Sequence, residues 1–444
     1  LKTIVLASVL GAIALPAEGR TATIGPLAAP ATPIEHVVFL FMENHSFDNV
    51  LGHLCVADDR CNGSTTAKLS TGETIPLVSA DDLIPQVPHG RRTQVTAINF
   101  GRMNGWDTIK KCARTLGYPC LQAYQPEQIP NLAALARAYT ISDATFQDEL
   151  VPTFGSHVFI LAAQLGGFAG ENPAPSPGAP RGPGWGCDSY REANWQAQSS
   201  DPWIKAPSCF PTQLGLGPYR PSPVPWIPTI MTRMDDGNVS WKIYRSNSEQ
   251  AGYNWAGCPV FADCLWGSQS PSAVDTEQLI PDAQGGTLPA VSLVFPTWIY
   301  SQHNGVSMAT GDNWIGDVVE AIQQGPDWPS TAIFITYDDC GCFYDHVRPP
   351  RGLGIRAPMV IVSPYAKPGF TDSNVSSFVS VLAFIERNWD LPPLTQADAN
   401  AYDYWGSFDF SQARLGSVRM VDTPVPAWEQ EWIAQHPPDS DDVN

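Results

Sequence analysis

Two apolar runs, residues 36–42 (HVVFLFM) and 332–337 (AIFITY), each pass directly into a pair of oxygen-bearing side chains, Glu43-Asn44 and Asp338-Asp339. Apolar runs of this length, without polar alternation, read as strands covered on both faces, the habit of a parallel sheet. In an open parallel sheet the ligand crevice lies beyond the carboxyl ends of the strands, so two endings from opposite halves of the chain are placed to converge there as one cage. Further strand patterns at 291–295 and 359–363 alternate with helical patterns at 129–139, 313–324 and 378–389, the βαβ rhythm. The expected fold is α/β, a three-layer α/β/α sandwich around a mostly parallel sheet.

Both endings continue into longer strings, ENHSFDNVLG at 43–52 and DDCGCFYDHV at 338–347. In this order they resemble the phosphoesterase family that contains bacterial phospholipases C and a secreted acid phosphatase, within the alkaline-phosphatase-like superfamily. The resemblance runs with gaps from residue 34 to 394 and is faint in the middle. It implies that Glu43, Asn44, Asp338 and Asp339, with the Thr153 hydroxyl, hold one divalent cation. Oxygen-rich ligation favours Ca²⁺, Mg²⁺ or Mn²⁺ without excluding zinc or iron.

The segment DELVPTFGSH at 148–157 precedes an apolar helical run at 158–165, for which Ser156 is placed as an N-cap. A hydroxyl beside a helix N-terminus has free backbone N–H groups at hand to stabilise a phosphoryl group. The resemblance assigns the nucleophile to Thr153, with Ser156 as runner-up, because Gly155 and Ser156 depart from the family's Pro-Asn-His or Pro-Asn-Arg triplet. It also places His89 and His303 as donors to a phosphoryl oxygen or leaving alkoxide, and His346 as a residue of the site. His45 and His157, beside the ligands in sequence, are expected to support them. Other departures are Asp339 for Glu, Cys340-Gly341-Cys342 for His-Gly-Gly, and Ser377-Phe378 for Asp-His, which favours a one-cation site.

A formal net charge of -19 argues against a nucleic-acid partner and against an anionic membrane surface, leaving phosphate esters and zwitterionic phospholipids as substrates, with a membrane met only transiently. Residues 1–17, with Lys2 ahead of an apolar run and Pro16-Ala17 after it, read as an export signal and the protein as secreted. Ten cysteines in close pairs (Cys55 with Cys61, Cys112 with Cys120, Cys187 with Cys209, Cys258 with Cys264, Cys340 with Cys342) suit structural disulfides, although spacing alone does not give connectivity. Residues 34–394 are expected to form one domain with a Pro-, Gly- and Trp-rich insertion at 167–289, followed by a tail at 395–444. The expected activity is a phospholipase C acting through a phosphothreonine. The alternatives are a broad acid phosphatase and a catalytically silent binding protein.

Overall fold

The computed structural model describes residues 28–436 apart from 177 and 179–181, so the export-signal segment lies outside the described residues. Its centre is an eight-stranded sheet. In chain order the strands are β1 (His36–Met42), β2 (Thr140–Ser142), β3 (Trp241–Arg245), β4 (Ala273–Asp275), β5 (Val291–Val294), β6 (Thr331–Tyr337), β7 (Met359–Val362) and β8 (Thr371–Asp372). They lie side by side as β4-β3-β5-β1-β6-β7-β2-β8. Only β7 runs against the others.

The principal helices, also in chain order, are α1 (Arg91–Ile98), α2 (Pro130–Ala138), α3 (Thr153–Ala162), α4 (Ile230–Asp236), α5 (Leu279–Gly285), α6 (Met308–Gln324) and α7 (Val379–Trp389). Strand β1 shows why the sheet needs helices on both sides. Val38, Leu40 and Met42 belong to one core with α2, α5 and α6, whereas Val37, Phe39 and Phe41 belong to a second with α3, α4 and α7. Successive side chains on a strand point to opposite faces, so a strand apolar at every position must be covered twice. The three-layer sandwich follows.

Helix α6 shows how the elements lock together. Its apolar stripe (Ile315, Val318, Val319, Ile322) follows the i, i+3, i+4, i+7 spacing of a core-facing helix, and Ser307 caps it through Thr310 N at 3.0 Å. Asp312, on the same helix, accepts the free N–H groups of Asn131 and Leu132, both at 2.9 Å, in the first turn of α2. A carboxylate there satisfies donors that the helix itself cannot.

The segment expected as one insertion divides. Residues 241–245 and 273–275 join the central sheet as β3 and β4, whereas residues 174–207 form a separate three-stranded antiparallel sheet beside it. The tail packs onto the body, with Tyr404 and Phe408 buried in the second core and the Val421 N–H bonded to Asn131 Oδ1 at 2.8 Å. Four disulfides join Cys55–Cys61, Cys112–Cys120, Cys187–Cys209 and Cys258–Cys264. The fifth expected pair is not bonded: Cys340 and Cys342 are buried free thiols with their sulfurs 3.8 Å apart.

Candidate active site

Three neighbouring parallel strands, β5, β1 and β6, end at the same edge of the sheet. Met42 pairs with Tyr337 across β1 and β6, so Glu43-Asn44 and Asp338-Asp339 leave the sheet side by side. The Asp338 N–H donates to Met42 O at 2.9 Å, and the Glu43 N–H donates to Ser301 O at 3.0 Å in the loop that follows β5. That second bond brings Gln302 and His303 to the same edge.

Glu43, Asn44, Asp338 and Asp339 are all fully buried, at 0% exposure. Asn44 adopts φ 64°, a left-handed conformation that asparagine tolerates better than most residues. Its backbone N–H donates to Asp338 Oδ1 at 2.8 Å. With the amide nitrogen turned to the carboxylates, it donates to Asp339 Oδ1 (3.0 Å) and Asp338 Oδ1 (3.2 Å), while the amide oxygen accepts from His303 Nε2 at 2.8 Å. Turned the other way, the amide oxygen joins the carboxylates as a further ligand.

The next loop is packed onto this one. Gly341 N donates to Asp339 Oδ1 at 2.6 Å, and a Cβ on Gly341 would stand 2.1 Å from Asn44 O. Only glycine permits that approach at φ 53°.

Helix α3 faces the cage from the second core. It begins at Thr153, directly after Pro152, so Ser156 lies inside the first turn and is not the N-cap. His157 Nε2 lies 3.1 Å from Glu43 Oε1 and 4.0 Å from Asp338 Oδ2. Burial pushes the His157 imidazole down to about 4, which keeps it neutral at pH 7 and available as a ligand. Thr153 is four residues earlier on the same helix, so it shares that face one turn nearer the N-terminus. Thr153 Oγ1, Ser156 Oγ and Asp338 Oδ2 are buried without a hydrogen-bond partner.

Three buried carboxylates around one point are costly unless a positive charge joins them. Glu43, His157 and Asp338 each offer a ligand atom, all within 4.8 Å of one another. This donor set, with Asp339 and the Asn44 amide beside it, fits one divalent cation.

His303 adjoins the cage through the Asn44 amide, and His89 packs against His303. The His303 Nδ1 donates to Asn304 O at 3.0 Å, because a carbonyl can only accept, and the ring stacks on Trp255 at 5.2 Å and packs against Trp298 at 5.0 Å. His89 Nδ1 likewise donates to Val87 O at 3.0 Å, and its ring meets His303 edge-on at 5.9 Å. Of the other tryptophans in the middle segment, Trp185, Trp195 and Trp241 are core, Trp226 is partly buried, and Trp203 and Trp266 are exposed.

His346 goes elsewhere. Its backbone N–H and Nδ1 both engage Asp48 Oδ2, and Nε2 lies 3.0 Å from Asn62 Oδ1. Asp48 and Asp345 share the fully buried Arg356, whose guanidinium donates to Asp345 Oδ2 at 3.0 Å and Asp48 Oδ1 at 3.2 Å and lies over Phe47 at 4.1 Å. The two long motifs therefore meet twice, once at the cage and once at this ion cluster. His45 supports the cage from behind: its Nε2 donates to Gln302 O at 2.9 Å and its ring stacks on Phe343. Phe378, standing where the family often carries His, is buried edge-on against Phe41 and offers no ligand.

His157 is expected from the sequence to stand behind the ligands, and the structure puts its Nε2 in direct contact with Glu43; its i+4 spacing from Thr153 is the available signal.

Comparison with known proteins places these features in a family. The chain is 28% identical over 437 residues to a non-hemolytic phospholipase C of Burkholderia pseudomallei, covering 85% of this chain and 57% of that protein. It is 23% identical over 474 residues to phospholipase C B of Mycobacterium tuberculosis strain H37Rv, covering 90% and 82%. The chain thus spans little more than half the length of the first relative. Among solved structures, a phosphonate monoester hydrolase from Silicibacter pomeroyi aligns with a TM-score of 0.31 at 12% identity, covering 62% of this chain and 71% of that one. A family model described as the phosphoesterase family matches residues 34–392, and the chain belongs to that family.

Proposed function

We propose that this protein is a secreted, metal-dependent phosphoric ester hydrolase of the phospholipase C type, working through a phosphothreonine at Thr153. The observation that carries the reading is the meeting of Glu43, Asn44, Asp338 and Asp339 at adjacent strand ends, with His157 of α3 in contact and Thr153 one turn away. Glu43, Asn44, Asp338, Asp339 and Thr153 would hold the cation, with His157 touching the same carboxylate. A bound divalent cation supplies charge that favours an alkoxide over a hydroxyl and polarises phosphoryl oxygens.

The chain's own groups do the rest. Thr153 Oγ1 attacks phosphorus in line, forming a Thr–O–P bond as the bond to the alcohol breaks. At the start of α3 the Phe154 N–H donates to Asn172 Oδ1 at 3.0 Å, which leaves the N–H groups of Thr153 and Gly155 to meet the phosphoryl oxygens. His303 or His89, both buried, protonates the departing alcohol. Water then cleaves the Thr–O–P bond and regenerates the hydroxyl.

Phospholipid is the favoured substrate because the named relatives are phospholipases C. Four disulfides agree with an oxidising destination. The test compares phosphatidylcholine with p-nitrophenyl phosphate, each with Ca²⁺, Mg²⁺, Mn²⁺ or Zn²⁺ supplied. Release of diacylglycerol is the expected result. Hydrolysis of the monoester alone would make the protein a phosphatase, and hydrolysis of neither would make it a binding protein.

A further inference from the structure

The chain is strongly acidic, yet one lobe is not. Between residues 91 and 114, Arg91, Arg92, Arg102, Lys110, Lys111 and Arg114 stand against a single acid, Asp107. All six basic side chains are exposed, and Asp107 is occupied by the Ser70 N–H at 2.9 Å and Ser70 Oγ at 2.7 Å. In a protein of net charge -19 this is a local reversal of sign.

At the tip of the lobe is Phe100, 94% exposed. It adopts φ 56°, ψ 30°, a left-handed conformation that is an outlier for a bulky residue, and no burial offsets the cost. The tip is pinned. The Met103 N–H donates to Ile98 O, Asn99 Nδ2 donates to Asn104 Oδ1 at 2.8 Å, and Gly101 sits against Arg348. Val95 and Leu116 in the same lobe are also more than half exposed. Trp106 packs on Tyr344 and the Cys112–Cys120 disulfide closes the far end, so the lobe is tied to the body.

The lobe also reaches the site. Helix α1 starts two residues after His89, and Gln94 Nε2 on that helix donates to His89 O (3.0 Å) and Val151 O (2.9 Å). Helix α1, eight residues and ~12 Å long, runs from beside His89 to the segment that carries Phe100.

A fully exposed aromatic side chain on a segment whose six cations are all exposed fits a bilayer interface: the ring enters the headgroup region and the basic side chains meet anionic headgroups. A nucleic-acid duplex would use the charge and leave Phe100 idle, since its bases are already stacked. Resting on the phospholipase reading above, we propose that residues 91–116 dock the protein on lipid surfaces containing anionic headgroups, with Phe100 as the inserted residue, and so present the site to lipid in that surface.

The test is vesicle sedimentation of the full protein with phosphatidylcholine alone and with phosphatidylcholine containing phosphatidylglycerol, at low and high salt. Wild-type protein should bind the mixed vesicles more tightly and release in salt. Phe100→Ser should weaken binding about ten-fold, and Lys110→Glu with Lys111→Glu should cost roughly five-fold for each reversed charge. Both variants should hydrolyse a soluble ester as wild type does, which shows that they fold. Failure of wild type to bind mixed vesicles, or wild-type binding by either variant, overturns the proposal. Vesicle binding without lipid hydrolysis would instead sink the phospholipase reading and leave the docking face standing.

Discussion

Asp338 Oδ1 accepts the backbone N–H of Asn44 at 2.8 Å, so the residue that brings charge to the cage also fixes the turn carrying its neighbouring ligand. The two roles separate by substitution. In Asp338→Asn the side chain keeps an acceptor oxygen for Asn44 N–H and loses only the charge. Turnover should fall by about three orders of magnitude, in line with the loss of a preorganised charge at a reacting centre. Thermal unfolding should be unchanged or slightly later, because one buried negative charge is gone. Wild-type turnover on p-nitrophenyl phosphorylcholine in this variant would refute the ligand assignment.

His157 touches Glu43 Oε1 from a different layer of the sandwich, which couples the cation to helix α3. Replacing it by Ala should lower cation affinity by about 10–100-fold, the usual range for residues that orient or join a metal set. Isothermal titration of the metal-stripped protein with Mn²⁺ measures this directly. The variant should recover part of its activity when excess Mn²⁺ is added.

Thr153 and Ser156 both lie in the first turn of α3 with buried, unpartnered hydroxyls. If Thr153 is the nucleophile, Thr153→Ala should abolish turnover, Thr153→Ser should keep a measurable fraction, and Ser156→Ala should cost less than about ten-fold. Acid-quenched protein, digested and analysed by mass spectrometry, should carry phosphate on the Thr153 peptide. Phosphate on Ser156 would exchange the two roles.

The cage was legible because its chemistry is local. Each ligand pair follows its strand immediately, and two parallel strands in register must deliver their next residues to one edge. The start of α3 was misread, because Ser156 drew attention to a cap four residues after Pro152, the residue that stands at that position. The Arg356 cluster was not legible, because its members at 48, 62, 345 and 356 meet only through tertiary packing. His346 consequently took its place in the site from its motif, whereas the structure holds both its ring nitrogens in that cluster. Strands β3 and β4 were obscured by length, because three to five residues carry little periodicity.

Glu386 on α7 is buried against Asp398, whose carboxylate already accepts the N–H groups of Leu394 (2.6 Å) and Thr395 (2.8 Å). Burial first, then the hydrogen bond to Asp398, pushes Glu386 up to about 9. The folded protein therefore keeps a proton that the unfolded chain releases near pH 4.5, and stability falls as pH rises between those values. Glu386→Gln keeps a donor without the proton. Its stability relative to wild type, measured by urea unfolding, should improve steadily from pH 5 to pH 9, by up to roughly 1.4 kcal/mol per pH unit. No pH dependence in that difference would show the carboxyl to be ionised throughout.

Arg356 is the positive charge that Asp48 and Asp345 share, and all three are fully buried. Arg356→Met removes it and leaves two buried carboxyls without their partner, a loss of about 3–5 kcal/mol. Lysine retains the charge but not the fork that reaches Asp48, Asp345 and two backbone carbonyls at once, so Arg356→Lys should recover only part of the loss. His346, half-buried at the rim of the cluster, should cost under about 1 kcal/mol as Ala, because its contact with Asp48 is partly solvated. Turnover measured beside urea unfolding separates structure from chemistry. Arg356→Met should lose activity in step with its folded fraction, and His346→Ala should keep at least a third of wild-type turnover. A folded His346→Ala protein without activity would return that histidine to the reaction.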